Sequence, residues 1–264
     1  MPDQPLSAVA EVAAEAARAG GTILRDSYGR VQSVSFKGAT DLVTEVDVRA
    51  EQVIVGLLRE RFPTHQILAE EGSVGGDDPR HRWIVDPLDG TTNFAHGLRV
   101  FSVSVAYERD GALAAGAVYD PSQDELFLAS AGGGATVNGQ PLAVSQTDTM
   151  LRALLGTGFP YDRHLMPIAL RQFSAVSMQA QAVRRVGSAA LDCCWVAAGR
   201  FDGYWENVVK AWDVAAGALI ALEAGARITD VHGGPFRVDC GSILLANPAL
   251  HPQILAALSE ANQE

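Results

Sequence analysis

A chain of 264 residues that is 48% hydrophobic is long enough to bury a full core, in one large domain or in two packed halves, about residues 1–150 and 151–264, and this composition excludes a disordered chain. A formal charge of −11 argues against nucleic acid as the main partner, because such binders gather Lys and Arg. No basic segment precedes an apolar run at the N-terminus, and nowhere do eighteen apolar residues run uninterrupted by charge, which predicts a soluble, cytoplasmic protein with no membrane partner. Cys193, Cys194 and Cys240 form no Cys-x-x-Cys pair and are expected as reduced core residues.

From Leu6 to about Tyr28, apolar and small residues recur near helical spacing and predict an amphipathic helix. Val31 to Thr40 alternates around Lys37-Gly38, as a hairpin or loop would. Thr44 and Asp47 resemble a capping box with Asp in place of Glu, so a helix should start there and stop near Phe62-Pro63. Ile67 to Ala69 reads as a short strand that exits into Glu70-Glu71-Gly72, and Gly75 to Arg82 reads as an exposed loop.

The most informative stretch follows, Trp83 to Phe94. An apolar run ends in Asp86 and Asp89, separated by Pro87-Leu88 and followed by Gly90-Thr91-Thr92-Asn93. This predicts a buried strand that delivers two carboxylates at its carboxyl end, with Pro87 and Gly90 forming a stiff corner and Thr91 and Thr92 placed as helix-capping hydroxyls. Hard oxygen donors suit Mg²⁺, and backbone N–H groups after Gly90 suit a phosphate. Taken singly, Asp-Pro and Asp-Gly are ordinary loop punctuation.

Further strands are expected at Val100–Tyr107, Ala112–Tyr119, Glu125–Ala129 and Ala135–Val137, with turns at Asp110-Gly111, Asp120-Pro121 and Asn138-Gly139. After Leu151 come a strand at Leu154–Thr157, a helix over Met166–Val176 and a strand at Ala182–Val186. Gly187-Ser188 should open a helix to about Ala198, and a strand ends at Glu206. Trp212-Asp213 then begins a helix to Ala224, and two short strands precede a C-terminal helix from about Pro252. Helices bracketing strand-rich blocks fit a layered α+β architecture. Glu70, Asp86, Asp89 and Asp213 each follow an apolar segment or open a helix, so they can converge on one rim, although Asp213 alone would read as an N-cap. The six histidines are scattered without ligand spacing.

As a whole string, Asp86-Pro87-Leu88-Asp89-Gly90-Thr91-Thr92-Asn93-Phe94 resembles the signature of the inositol monophosphatase family, Mg²⁺-dependent phosphomonoesterases related to fructose bisphosphatases. Trp212-Asp213-Val214-Ala215-Ala216-Gly217 is similar to the family's second motif, and Arg185 to Asp192 to its third, so that the resemblance runs from about Ala8 to Leu258. It implies an αβαβα sandwich and a homodimer, and it implies two or three Mg²⁺ per site. Glu70, Asp86 and the Leu88 carbonyl would hold the first ion, and Asp86, Asp89 and Asp213 the second. Lys37, Asp41, Thr44 and Asp47 match a loop with a possible third position. By the same resemblance Glu70, Thr91 and Asp47 are catalytic, with water oriented by Glu70 and Thr91, and the Gly90 and Thr91 amides grip phosphate. Gly187, Ser188, Ala189 and Glu206 would contact the hydroxyls of the leaving group, and Li⁺ would inhibit.

Two positions bear on the substrate. Thr92 stands where relatives acting on sulfur nucleotides or histidinol phosphate tend to carry Lys or Arg, and Ala69 stands where many have Gly. The expected activity is therefore hydrolysis of inositol monophosphate, a small phosphate monoester. The alternatives are a histidinol phosphate or nucleotide phosphatase on the same scaffold, or a regulatory binding protein that retains the fold.

Overall fold

A computed structural model describes residues 4–30, 34–36, 42–73 and 75–262. The alanine-rich start forms helix α1 (Leu6–Ser27), which buries Val9, Ala13, Ala16, Ala17 and Leu24 along one face. Strand β1 (Val34–Phe36) pairs antiparallel with β2 (Leu42–Thr44), and helix α2 (Glu45–Arg61) follows directly. Lys37 and Asp41 lie outside the described residues. The expected cap of α2 is present. Thr44 Oγ1 accepts the Val46 N–H at 3.1 Å while the Thr44 N–H donates to Asp47 Oδ2 at 2.9 Å. Phe62 ends the helix because a residue before proline is pushed out of the helical region.

Seven strands then form the larger sheet in sequence order: β3 (His65–Ala69), β4 (Asp78–Asp89), β5 (Ser102–Arg109), β6 (Ala112–Asp120), β7 (Glu125–Ser130), β8 (Gly134–Val137) and β9 (Gln140–Pro141). Only the β3–β4 pair is parallel. The hairpins at Asp110-Gly111 and Asn138-Gly139 carry positive φ at both residues, as two-residue turns between twisted strands require. Strand β4 departs from the sequence expectation, since Asp78 to Arg82 is strand and not loop. Its backbone pairs with the end of β5, His81 opposite Arg109 and Arg82 opposite Glu108, and Arg82 Nε donates to Glu108 at 2.6 Å. The side chains there are polar because that end of the sheet reaches solvent, and ladder hydrogen bonds do not need apolar side chains.

The smaller, five-stranded sheet has the order β11-β10-β12-β14-β13 and is built from β10 (Leu154–Thr157), β11 (Ala182–Arg184), β12 (Gly203–Glu206), β13 (Arg227–Thr229) and β14 (Ile243–Ala246). The remaining helices are α3 (Thr91–Ala95), α4 (Met166–Ser177), α5 (Ala189–Ala197), α6 (Ala211–Glu223) and α7 (His251–Ala261). Three cores define the layers. Helices α1 and α2 cover the outer face of the large sheet, α5 and α6 fill the space between the sheets, and α4 and α7 cover the outer face of the small sheet. The result is a layered αβαβα sandwich.

Strand alternation explains how one segment serves two cores. Trp83 and Val85 face α1 and α2, whereas Ile84 faces the middle layer; Tyr204 faces the middle layer and Trp205 the outer one. Helix α6 is apolar on every side from Val214 to Ala221 because both sheets cover it. Cys193 and Cys194 are buried on α5 as expected, but Cys240 is exposed, in the irregular segment between β13 and β14. No helix among the described residues is long and apolar enough to cross a membrane.

Candidate active site

The end of β4 makes the corner. Asp86, 2% exposed, reaches over Pro87 so that its Oδ1 accepts the Leu88 N–H at 2.9 Å. The register with β5 slips between Asp86 and Asp89, which is where a sheet tolerates proline. Gly90 follows with φ +92°, and a Cβ there would lie 2.9 Å from Val100 O and 3.1 Å from Gly187 O. Only glycine fits both the left-handed backbone and that space. Gly90 is also the N-cap of α3, without a side-chain cap bond, so the expected capping roles of Thr91 and Thr92 are not realised. Thr91 Oγ1 instead lies 3.0 Å from Leu88 O and 3.1 Å from Asp47 Oδ1, its single proton serving one acceptor at a time.

Other elements bring carboxylates to the same place. Glu70 leaves β3 immediately after Ala69 pairs with Val85, and its N–H donates to Val85 O at 3.2 Å. Asp213 occupies the third position of α6, not its cap, and its Oδ2 accepts the Lys210 N–H at 2.7 Å. Asp89 faces the first turn of α5. It accepts Ser188 Oγ, the Ala189 N–H at 3.2 Å and the Ala190 N–H at 2.9 Å. Glu70, Asp86, Leu88, Asp89, Gly90, Thr91, Gly187, Ser188, Ala189, Glu206 and Asp213 all line one cavity of about 360 Å³. Asp47 stands behind Thr91. The first turns of α5 and α6 open onto this cavity, a setting that favours anions.

The charges in the cavity are at odds with one another. Burial raises the pKa of Asp86 well above the usual carboxylate range, and Glu70, Asp89 and Asp213 raise it further. Burial also carries Asp89 up to about 6, although the bonds from Ser188, Ala190 and Ala189 pull it down. Asp213 is raised by burial against the opposing bond from Lys210, and Asp47 by burial against those from Thr44. An all-oxygen donor set under mutual repulsion matches the chemistry of a hard divalent cation. Among the described residues no three such side chains are drawn into a preformed cage. The reason is visible in the rotamers, with Asp89 turned onto α5 and Asp213 onto Lys210.

Glu206 closes the far side of the cavity at the end of β12. Tyr204 Oη donates to its Oε2, yet burial pushes Glu206 up to about 7. Gly158 makes room, since a Cβ there would sit 2.0 Å from the Glu206 carboxylate. Asp192, 1% exposed with Oδ1 unpartnered, adds another acid to this wall, raised by burial and then by Glu206. Sequence reasoning did not single out Asp192, Tyr204 or Lys210 as site residues. One signal was available for the last of them: Lys37 and Lys210 are the only lysines in a chain otherwise provided with arginine.

A profile of the inositol monophosphatase family matches residues 5–263. The inositol-1-monophosphatase of Mesorhizobium japonicum is 42% identical over 258 residues, 96% of this chain and 97% of the relative. The Nus factor SuhB of Pasteurella multocida is 42% identical over 248 residues, covering 92% and 93%. Among solved structures, the extragenic suppressor protein suhB of Bartonella henselae superposes with a TM-score of 0.93 at 40% identity, covering 96% of this chain and 99% of that one. Fold, profile and relatives agree over nearly the whole length, and the chain belongs to the inositol monophosphatase family.

Proposed function

We propose that the protein is a Mg²⁺-dependent phosphomonoesterase that hydrolyses inositol monophosphate. The observation that carries this reading is the convergence of Glu70, Asp86, Asp89 and Asp213 on one cavity with Thr91 on one side and Glu206 on the other. Relatives named inositol-1-monophosphatase support the substrate class. Glu70, Asp86, the Leu88 carbonyl, Asp89 and Asp213 would hold two or three Mg²⁺, which would supply Lewis-acid stabilisation of charge at phosphorus and at the leaving oxygen. Asp47 holds the Thr91 hydroxyl, and Thr91 with Glu70 orients the attacking water; the water's proton would pass to Thr91 Oγ1 as the hydroxyl proton moves to Asp47 Oδ1. The N–H groups of Gly90 and Thr91 hold phosphate oxygens. Glu206, already accepting from Tyr204, keeps a second oxygen for hydroxyls of the leaving polyol.

A phosphate-release assay over a panel containing inositol 1-phosphate, histidinol phosphate and a nucleotide 3′-phosphate tests the proposal. The expected preference is for the inositol ester with Mg²⁺ present. Preference for either other compound would reassign the substrate, and no release above Asp86→Asn would remove the activity. A second reading, a binding role toward another macromolecule, is favoured by relatives named Nus factor SuhB, one of which matches at 42% identity, as the Mesorhizobium phosphatase does.

A further inference from the structure

Helix α2 carries a second buried carboxylate one turn beyond Asp47. Glu51 is 9% exposed, and its Oε2 accepts the backbone N–H of Glu71 at 2.8 Å. Residues four apart share a helix face. Asp47 therefore reaches Thr91 while Glu51, on the same face, reaches the chain just beyond Glu70.

The backbone around Glu70 explains what this contact does. The Glu70 N–H is held by Val85 O, next to the last β3–β4 pair, Ala69 with Val85. The following peptide has left the sheet, and its N–H needs another acceptor. Glu51 supplies one, and a carboxylate acceptor makes a stronger bond than a neutral group. The orientation of the Glu70–Glu71 peptide sets ψ of Glu70. With both its flanking N–H groups held, Glu70 has its Cα–Cβ direction fixed.

We infer that Glu51 is a positioning residue, which aims Glu70 into the cavity by holding the Glu70–Glu71 peptide. One face of α2 thereby sets both groups proposed to orient the attacking water, Thr91 through Asp47 and Glu70 through Glu51. The inference rests on reading Glu70 as a cation ligand.

Two measurements without turnover test it: hydrogen exchange at the Glu71 amide, and the Mg²⁺ concentration giving half the maximal rise in Tm. They are made on wild type, E51A, E51M, E51Q and E70Q. E51M fills the space without an acceptor, which covers the case in which E51A fails to fold. E51A and E51M should exchange the Glu71 amide faster and need roughly tenfold more Mg²⁺ or above, while E51Q, whose Oε1 still accepts the N–H, stays within about threefold of wild type. A wild-type Mg²⁺ response in E51M would overturn the inference, and so would an E51Q as impaired as E51M. An E70Q that responds to Mg²⁺ like wild type would instead overturn the reading of Glu70, and this inference with it.

Discussion

Asp89 is held by three donors from the first turn of α5, yet burial keeps its pKa near 6. Asparagine preserves the shape but removes the charge, and it turns one acceptor oxygen into a donor among donors. Asp89→Asn should lower turnover by at least about a hundredfold at saturating Mg²⁺ with circular dichroism unchanged, since even outer partners of a cation ligand cost 10–100-fold. Turnover close to wild type would sink the assignment. Glu206→Gln is a test of selectivity. Losing an acceptor for a polyol hydroxyl should reduce kcat/KM for inositol phosphate by about tenfold or more, with little change on an aryl phosphate. Equal losses on both would show that Glu206 does not touch the leaving group. The local part of this chemistry was legible in sequence, because Asp86, Asp89 and Gly90 are neighbours. That Asp89 would be captured by α5 was not, since Ser188 to Ala190 lie about a hundred residues away and carry no local sign of their partner.

Among elements, the β4–α3 corner depends most on a single residue. Gly90→Ala combines a positive φ with a Cβ pressed on two carbonyl oxygens, so a loss of about 1–3 kcal/mol is expected and, with the corner displaced, most of the turnover. A thermal melt and phosphate release measured together check it; an unchanged Tm would contradict the strain. Most element identities followed from periodicity and caps, the Thr44/Asp47 box at α2 being the clearest. Asp78–Arg82 looked like a loop because its side chains are polar, and its strand state is set by a partner far along the chain. Asp213 taken alone would read as a cap because Asp favours that position; it stands instead at the third position of α6, and its reciprocal bond comes from the backbone of Lys210, a residue type that gives no capping signal.

For the whole molecule, acids with raised pKa values make stability depend on pH with a definite sign. Asp89 near 6 and Glu206 near 7 hold protons more tightly when folded than when unfolded. Between about pH 4 and pH 7 the native state therefore binds more protons, and stability falls as pH rises through that window. In chelator, Tm should drop from pH 4.5 to pH 7.5. Mg²⁺, held by the deprotonated cluster as proposed, should raise Tm by an amount that grows over the same interval. Differential scanning calorimetry with EDTA or Mg²⁺ measures both, and a Mg²⁺ increment independent of pH would show that Asp89 is not a ligand.

The walls of the cavity come from the large sheet, the two middle helices and the small sheet together. No subset of layers encloses it, so it comes into being only when both sheets have closed on α5 and α6. With a cation held there as proposed, its capture counts finished molecules. During refolding, helical signal will report what has begun to form, while a Mg²⁺ response will report what is complete, and the interval between the two is the time taken to close the sandwich.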